Sequence, residues 1–290
     1  MASASLRRAR PLLGTFVEIT VDGLDDARAS AAIACAFAAV ADVHRAMSFH
    51  EPASDVARLN RAGAGRCVRV AKVTYEVLAL SRRIAAVSAG RFDPTIAAQQ
   101  VARGLLPRSD AHGGADPAAT WRDIELLDGN RVRLARRLSI DLGGIAKGYA
   151  VDRAIDVLVA AGAKQACVNA GGDLRVAGPR AERVHLRSAA GILSGASVEI
   201  MDAALATSVA AADPLAGARA LRHFDGVSRR AVARNGRLVS VAAPQCVIAV
   251  ALTKVVLVAP DELARSCLLH FDAQAIEHTP AGFARLGAVA

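Results

Sequence analysis

Residues 139–178, SIDLGGIAKGYAVDRAIDVLVAAGAKQACVNAGGDLRVAG, carry two Gly-Gly pairs in different settings. The first half reads as a short strand, a turn at Gly143-Gly144 and a helix. Its apolar residues Val151, Ala154, Ile155 and Leu158 share one helical face. Gly162 ends that helix. The second half reads as strand, Gly171-Gly172 turn, strand. A helix feeding a hairpin, with no βαβ repetition, predicts an α+β fold.

Glycine lets main-chain N–H groups approach a ligand that a Cβ would hold off. The first turn leads into a helix N-terminus, whose unpaired N–H groups and positive dipole end suit an anion. Lys147 adds a point charge, and the set suits a diphosphate. The spacing is neither GxGxxG nor GxxxxGK[ST], so neither a dinucleotide fingerprint nor a P-loop is present. The plain alternative is that both turns only reverse the chain. An aspartate beside each turn, Asp141 and Asp173, speaks for a ligand.

Outward from this stretch, residues 12–21 alternate as a strand, and 25–46 form a helix with Ile33, Phe37 and Val40 on one face. Ser54 is placed to cap a short helix. A helix over 74–89 stops at Gly90, and GRFDPT (90–95) is a turn. Residues 103–120 read as an exposed loop, and 123–135 as a hairpin around Asp128-Gly129. Further strand-like segments fill 180–242. Two helices, 246–258 and 261–270, are separated at Pro260. No repeat or linker stands out, so 1–290 reads as a single domain.

Hydrophobic residues make up 53% and aromatics 3%, the composition of a packed soluble protein without a disorder signal. The net charge of +9 favours anionic partners. The arginines occur singly or in pairs, and aromatics for base stacking are nearly absent, which argues against nucleic acid. Five scattered cysteines without a CxxC fit reduced thiols. The N-terminal residues lack an apolar core of the signal-peptide kind. The longest apolar run, 246–258, is interrupted by Lys254 and is too short to span a bilayer, so the expected location is cytoplasmic.

PLLGTFVEI (11–19), MSFHEPASDVARLN (47–60), GRFDPT, DLGGIAKGYAVD (141–152) and VNAGGDL (168–174) resemble, in order, motifs of the ApbE family, the FAD:protein FMN transferases. The resemblance implies a T-fold-like core of mixed or antiparallel sheet packed with helices, binding FAD in an extended cleft. It implies a Mg²⁺-dependent reaction in which a threonine hydroxyl of a target flavoprotein attacks the FMN-side phosphorus of FAD and AMP leaves.

Carried over by motif, Asp93 and Thr95 are flavin-cleft residues, and Met47 and His50 lie against the flavin or adenine. Gly143, Gly144 and Lys147 make the diphosphate turn; Asn169, Gly171, Gly172 and Asp173 make the second ligand turn. The Ala146 carbonyl is a metal ligand. His223, in LRHFDG, is either the base or a plain loop histidine.

The C-terminal half departs from the family pattern. Val250 stands where the family has its metal carboxylate. Lys254 stands at the usual threonine position, with Thr253 one residue early as the remaining metal donor. The family's Thr-Ser-Gly reads Thr207-Ser208-Val209, in which the resemblance makes Thr207 and Ser208 cofactor-binding, and the Asp and Pro after the histidine are shifted in HFDGVSRR. Two readings follow. In one, the chain is a working transferase in which Lys254 points at the FAD diphosphate and replaces part of the metal's charge. In the other, a degenerate member binds FAD without transferring it, as a flavin carrier or partner protein.

Overall fold

The computed structural model describes residues 5–108, 114–187, 193–210, 223–232, 237–279 and 282–286. Strand β2 (Thr15–Asp22) buries every second residue, Val17, Ile19 and Val21, and so sets one face of the main sheet. It pairs antiparallel with β1 (Leu6–Leu12) on one side and with β6 (Gln165–Ala170) on the other. The sheet continues through β7 (Asp173–Ala177), β10 (Ala204–Val209), β11 (Leu238–Ala243), β12 (Gln274–Thr279) and β13 (Gly282–Leu286). All of its pairings are antiparallel.

Two smaller sheets accompany it. One joins β3 (Cys67–Arg69), β5 (Arg131–Leu134) and β4 (Ile124–Leu127), the last two being the hairpin expected around Asp128-Gly129. The other is the hairpin of β8 (Glu182–Arg187) and β9 (Leu193–Ile200). Leu186 and Ile200 of that hairpin share a small apolar cluster with Leu174, Val176 and Leu205 of the main sheet.

The opposite face carries helices. α1 (Asp26–Met47) is capped by Asp25, whose carboxylate accepts the Arg28 N–H at 2.9 Å. Its 22 residues are long and apolar enough to cross a membrane, yet Ile33, Phe37, Val40 and Val43 join the main core, as in a core helix. α2 (Asp55–Ala62) starts at Ser54, whose hydroxyl accepts the Ala57 N–H at 3.0 Å, as expected. α3 (Lys72–Val87) ends short of Gly90, and a short α4 (Ala97–Ala102) follows the GRFDPT turn. α5 (Ala146–Ala160) packs on β6 and β7, and α6 (Cys246–Val258) packs on β10 and β11. α7 (Asp261–His270) follows after Pro260.

Contacts between α5 and α6 fix the layout of the site. Asp152 of α5 accepts the N–H groups of Cys246 and Val247 at 2.9 and 2.8 Å, capping α6 from a neighbouring helix. Arg175 of β7 pairs with the same carboxylate at 3.1 Å. Gly148 is where the two helices touch: a Cβ there would lie 2.5 Å from the Cys246 carbonyl oxygen. Alanine at 148 therefore forces main chain from main chain. We expect Gly148→Ala to lower stability by about 1–3 kcal/mol, read by chemical denaturation; an unchanged midpoint would refute the close packing.

The segment 139–142 is not a strand. Its backbone groups go elsewhere. The Asn60 side-chain amide donates to the Ile140 carbonyl at 3.0 Å and its oxygen accepts the Ile140 N–H at 2.8 Å. The Asp141 N–H donates to the Pro94 carbonyl at 2.9 Å. A buried asparagine and a loop carbonyl thus replace the ladder a strand would need.

Candidate functional site

At the first glycine pair, neither Gly143 nor Gly144 has a positive φ. The Gly143 N–H is already engaged, donating to Asp141 Oδ1 at 3.0 Å. A Cβ on Gly144 would meet only the Phe92 ring, at an ordinary 3.7 Å. Among the described residues nothing inside the fold demands a glycine at 144, so the main chain there is open to an outside neighbour. Burial pushes the Asp141 carboxyl above its ordinary range, and the Gly143 N–H and the nearby His50 pull it back. His50 is exposed, at the rim of this turn.

The second pair reverses β6 into β7. Gly171 and Gly172 have φ of +66° and +102°, and a Cβ on Gly171 would sit 2.5 Å from the Thr15 hydroxyl. The Asn169 side chain accepts the Gly172 N–H at 2.8 Å. Turn geometry alone accounts for these glycines. Of the main-chain amides expected to face a ligand, those of Gly143 and Gly172 are occupied by the protein itself.

What the hairpin contributes is Asp173. Strand alternation points Asp173 and Arg175 toward α5, while Leu174 and Val176 point to the other side. The Lys147 ammonium, one residue into α5, lies 3.3 Å from Asp173 Oδ2. Lys254 of α6 is close enough for both charges to act on it. Burial lowers its pKa to about 8, with Lys147 adding to the fall and Asp173 opposing it. Lys147 thus pairs with Asp173, and the helix carrying Lys254 packs on the elements that hold both.

The hydroxyls of β10 divide between the two faces. Ser208 faces α6 and shares a hydrogen bond with Thr253 Oγ1 at 2.7 Å. Thr207 pairs across the sheet with Ser240 at 2.8 Å, on the side away from Lys147 and Lys254. The two neighbouring hydroxyls therefore lie on opposite faces of the sheet.

GRFDPT is held from within. Asp93 is 5% exposed and accepts from the Thr95 N–H at 2.8 Å and the Thr95 hydroxyl at 2.7 Å. Arg229 reaches Asp93 Oδ2 and Thr95 Oγ1, each at 3.1 Å, and the Ala119 carbonyl at 2.8 Å. Arg91 pairs with Asp225 at 2.7 Å, and the Gly226 N–H donates to the Arg91 carbonyl at 3.0 Å. These bonds dock the segment 223–232, with His223 at its start, onto GRFDPT. Asp93 and Thr95 thus anchor that segment. Met47, at 3% exposed, packs in the core at the end of α1.

The residues left at the expected metal position do not fit a magnesium ion. Mg²⁺ takes hard oxygen donors, usually with one or two carboxylates. Val250 is buried and offers none. The Thr253 hydroxyl donates to the Val250 carbonyl at 2.8 Å and is shared with Ser208. Ala146 supplies at most a carbonyl at the start of α5. No cluster of three His, Cys, Asp or Glu side chains able to hold a metal occurs among the described residues. Two lysines stand nearby, and their charge repels a cation.

Residues 13–276 match the model of the ApbE family. The chain belongs to the ApbE family. Two curated relatives, each named FAD:protein FMN transferase, match part of it. The one from Rhodobacter capsulatus is 32% identical over 182 residues, 59% of this chain and 35% of that protein. The one from Treponema pallidum is 27% identical over 181 residues, 58% of this chain and 50% of that protein. The matched stretch is thus half or less of either relative's length. The flavin transferase ApbE of Vibrio cholerae superposes with a TM-score of 0.81 at 21% identity, covering 98% of this chain and 96% of that one. The antiparallel sheet with helices on one face is therefore an ApbE fold.

Within it, sequence reasoning passed over four residues that shape the site: Asn60, Gly148, Asp152 as cap of α6, and Arg229. Asn60 had a visible signal, as a polar residue closing the 47–60 segment. Arg229 had none, because its partners are more than a hundred positions away.

Proposed function

We propose that this chain is an FAD:protein FMN transferase and that residues 1–290 act as one domain. A threonine hydroxyl of a target flavoprotein attacks the FMN-side phosphorus of FAD. A new P–O bond to threonine forms, the anhydride P–O bond breaks, and AMP departs. His223 takes the threonine proton. Transfer of this kind depends on in-line placement and charge neutralisation more than on covalent help. The chain's own contributions are the open main chain at Gly144 and the Lys147 and Lys254 ammoniums, which hold the diphosphate. His50 at the rim of the turn contacts a ring of the dinucleotide. The five cysteines are all free thiols, which suits a cytoplasmic location.

One arrangement supports the reading: Lys147 pairs with Asp173 at 3.3 Å, α6 with Lys254 packs on the elements that carry them, and Gly144, three residues before Lys147, meets no contact among the described residues that requires a glycine. Incubating the protein with FAD and a threonine-bearing flavoprotein domain tests it. The expected product is an acceptor heavier by one FMN, with equimolar AMP. FAD bound without any adduct would instead identify a flavin carrier.

A further inference from the structure

The charge balance around Asp173 does not close. Its carboxylate is 3.3 Å from the Lys147 ammonium, which answers one positive charge. Lys254 lies on an otherwise apolar helix whose other residues from Cys246 to Leu257 are all buried. α6 packs on α5 and β7, the elements that carry Lys147 and Asp173, and so brings a second lysine to the same side of the sheet. Placing a second cation here is unfavourable unless an anion answers it. Gly148 and the Asp152 cap hold α6 against α5, so the backbone positions that carry the two lysines are fixed relative to each other. One position of the same helix, Val250, lacks the carboxylate a divalent cation would need, and Thr253 has its hydroxyl committed.

We infer that this site holds its diphosphate without a divalent cation, the Lys254 ammonium supplying at the phosphate oxygens the positive charge that a metal would otherwise bring. The inference rests on the reading of the site as an FAD site. An ammonium is a compact point charge with three donors, well suited to non-bridging phosphate oxygens. The substitution at 250 and the lysine at 254 then form one exchange: a carboxylate that would attract a cation is gone, and a resident cation is in its place.

Calorimetric titration of the protein with FAD, in EDTA and then in excess Mg²⁺, tests this, together with titration by Mn²⁺ alone. FAD affinity is expected to agree within about twofold between the two buffers, and Mn²⁺ to give no stoichiometric heat. Lys254→Met is expected to weaken FAD binding at least about tenfold, the loss of one charge-assisted contact, while its thermal melt shows a folded protein. The double variant Val250→Asp/Lys254→Thr is expected to gain stoichiometric Mn²⁺ binding and a Mg²⁺-dependent FAD affinity. FAD binding that appears only with Mg²⁺, stoichiometric Mn²⁺ binding by the unaltered protein, or an unchanged affinity in Lys254→Met each overturns the inference while leaving an FAD site standing. Absence of FAD binding in both buffers overturns the functional reading, and this inference with it.

Discussion

Lys147→Met is expected to slow FMN transfer by about a hundredfold to a thousandfold, the usual cost of deleting one preorganised charge at a developing anion. Lys147 is the second residue of α5, held 3.3 Å from Asp173 and adjacent in sequence to Gly148, where α5 meets α6. The lysine is a third exposed, and the Lys254 charge still acts with Asp173 when Lys147 is removed. The variant should therefore melt near the parent temperature while AMP release collapses. Comparing initial rates of AMP release with melting curves separates the two effects. A variant that transfers FMN at the parent rate would remove Lys147 from the site.

Arg229→Met is expected to destabilise the fold by about 3–5 kcal/mol, because it leaves the buried Asp93 carboxylate without its cation. Burial already pushes the Asp93 carboxyl above its ordinary value, and Arg229 is the largest influence pulling it back. The same guanidinium also satisfies Thr95 and the Ala119 carbonyl. For a domain of this size the melting temperature should fall on the order of 10 °C. The segment carrying His223 loses the Arg229–Asp93 ion pair to GRFDPT and keeps Arg91–Asp225. A melt within a degree of the parent would show that Arg229 does not hold this segment.

The fold was legible wherever the signal is local. Helix α1 shows its apolar face in Ile33, Phe37 and Val40, and Ser54 announces the start of α2. The turns at Asp128-Gly129 and Gly171-Gly172 place two hairpins. Edge strand β1 was not legible. Its residues between Leu6 and Leu12 are exposed, three of them arginine and one proline, so no alternation marks it. Arginine and proline suit an unpaired edge and tell nothing of the pairing with β2 on its other side. Ile140 misled for the opposite reason. It looks like strand sequence, yet its backbone partner is the side chain of Asn60, eighty positions earlier.

The site divides the same way. Lys147 and Asp173 were readable as charges beside glycine turns, and the structure joins them. The role first given to bare glycine amides is narrower than the sequence suggests. The side chains of Asp141 and Asn169 already occupy the amides of Gly143 and Gly172, which leaves the charge to the two lysines. That Asp93 anchors a distant segment, and that Thr207 and Ser208 face opposite ways, depends on tertiary packing that motif spacing does not encode.

A crystal structure of the protein soaked with FAD in EDTA tests the central claim most directly. The account predicts diphosphate oxygens about 2.7–3.2 Å from the Lys147 and Lys254 ammoniums, over the main chain of Gly144. Dinucleotide bound elsewhere on the chain, or a diphosphate turned away from both lysines, would contradict it.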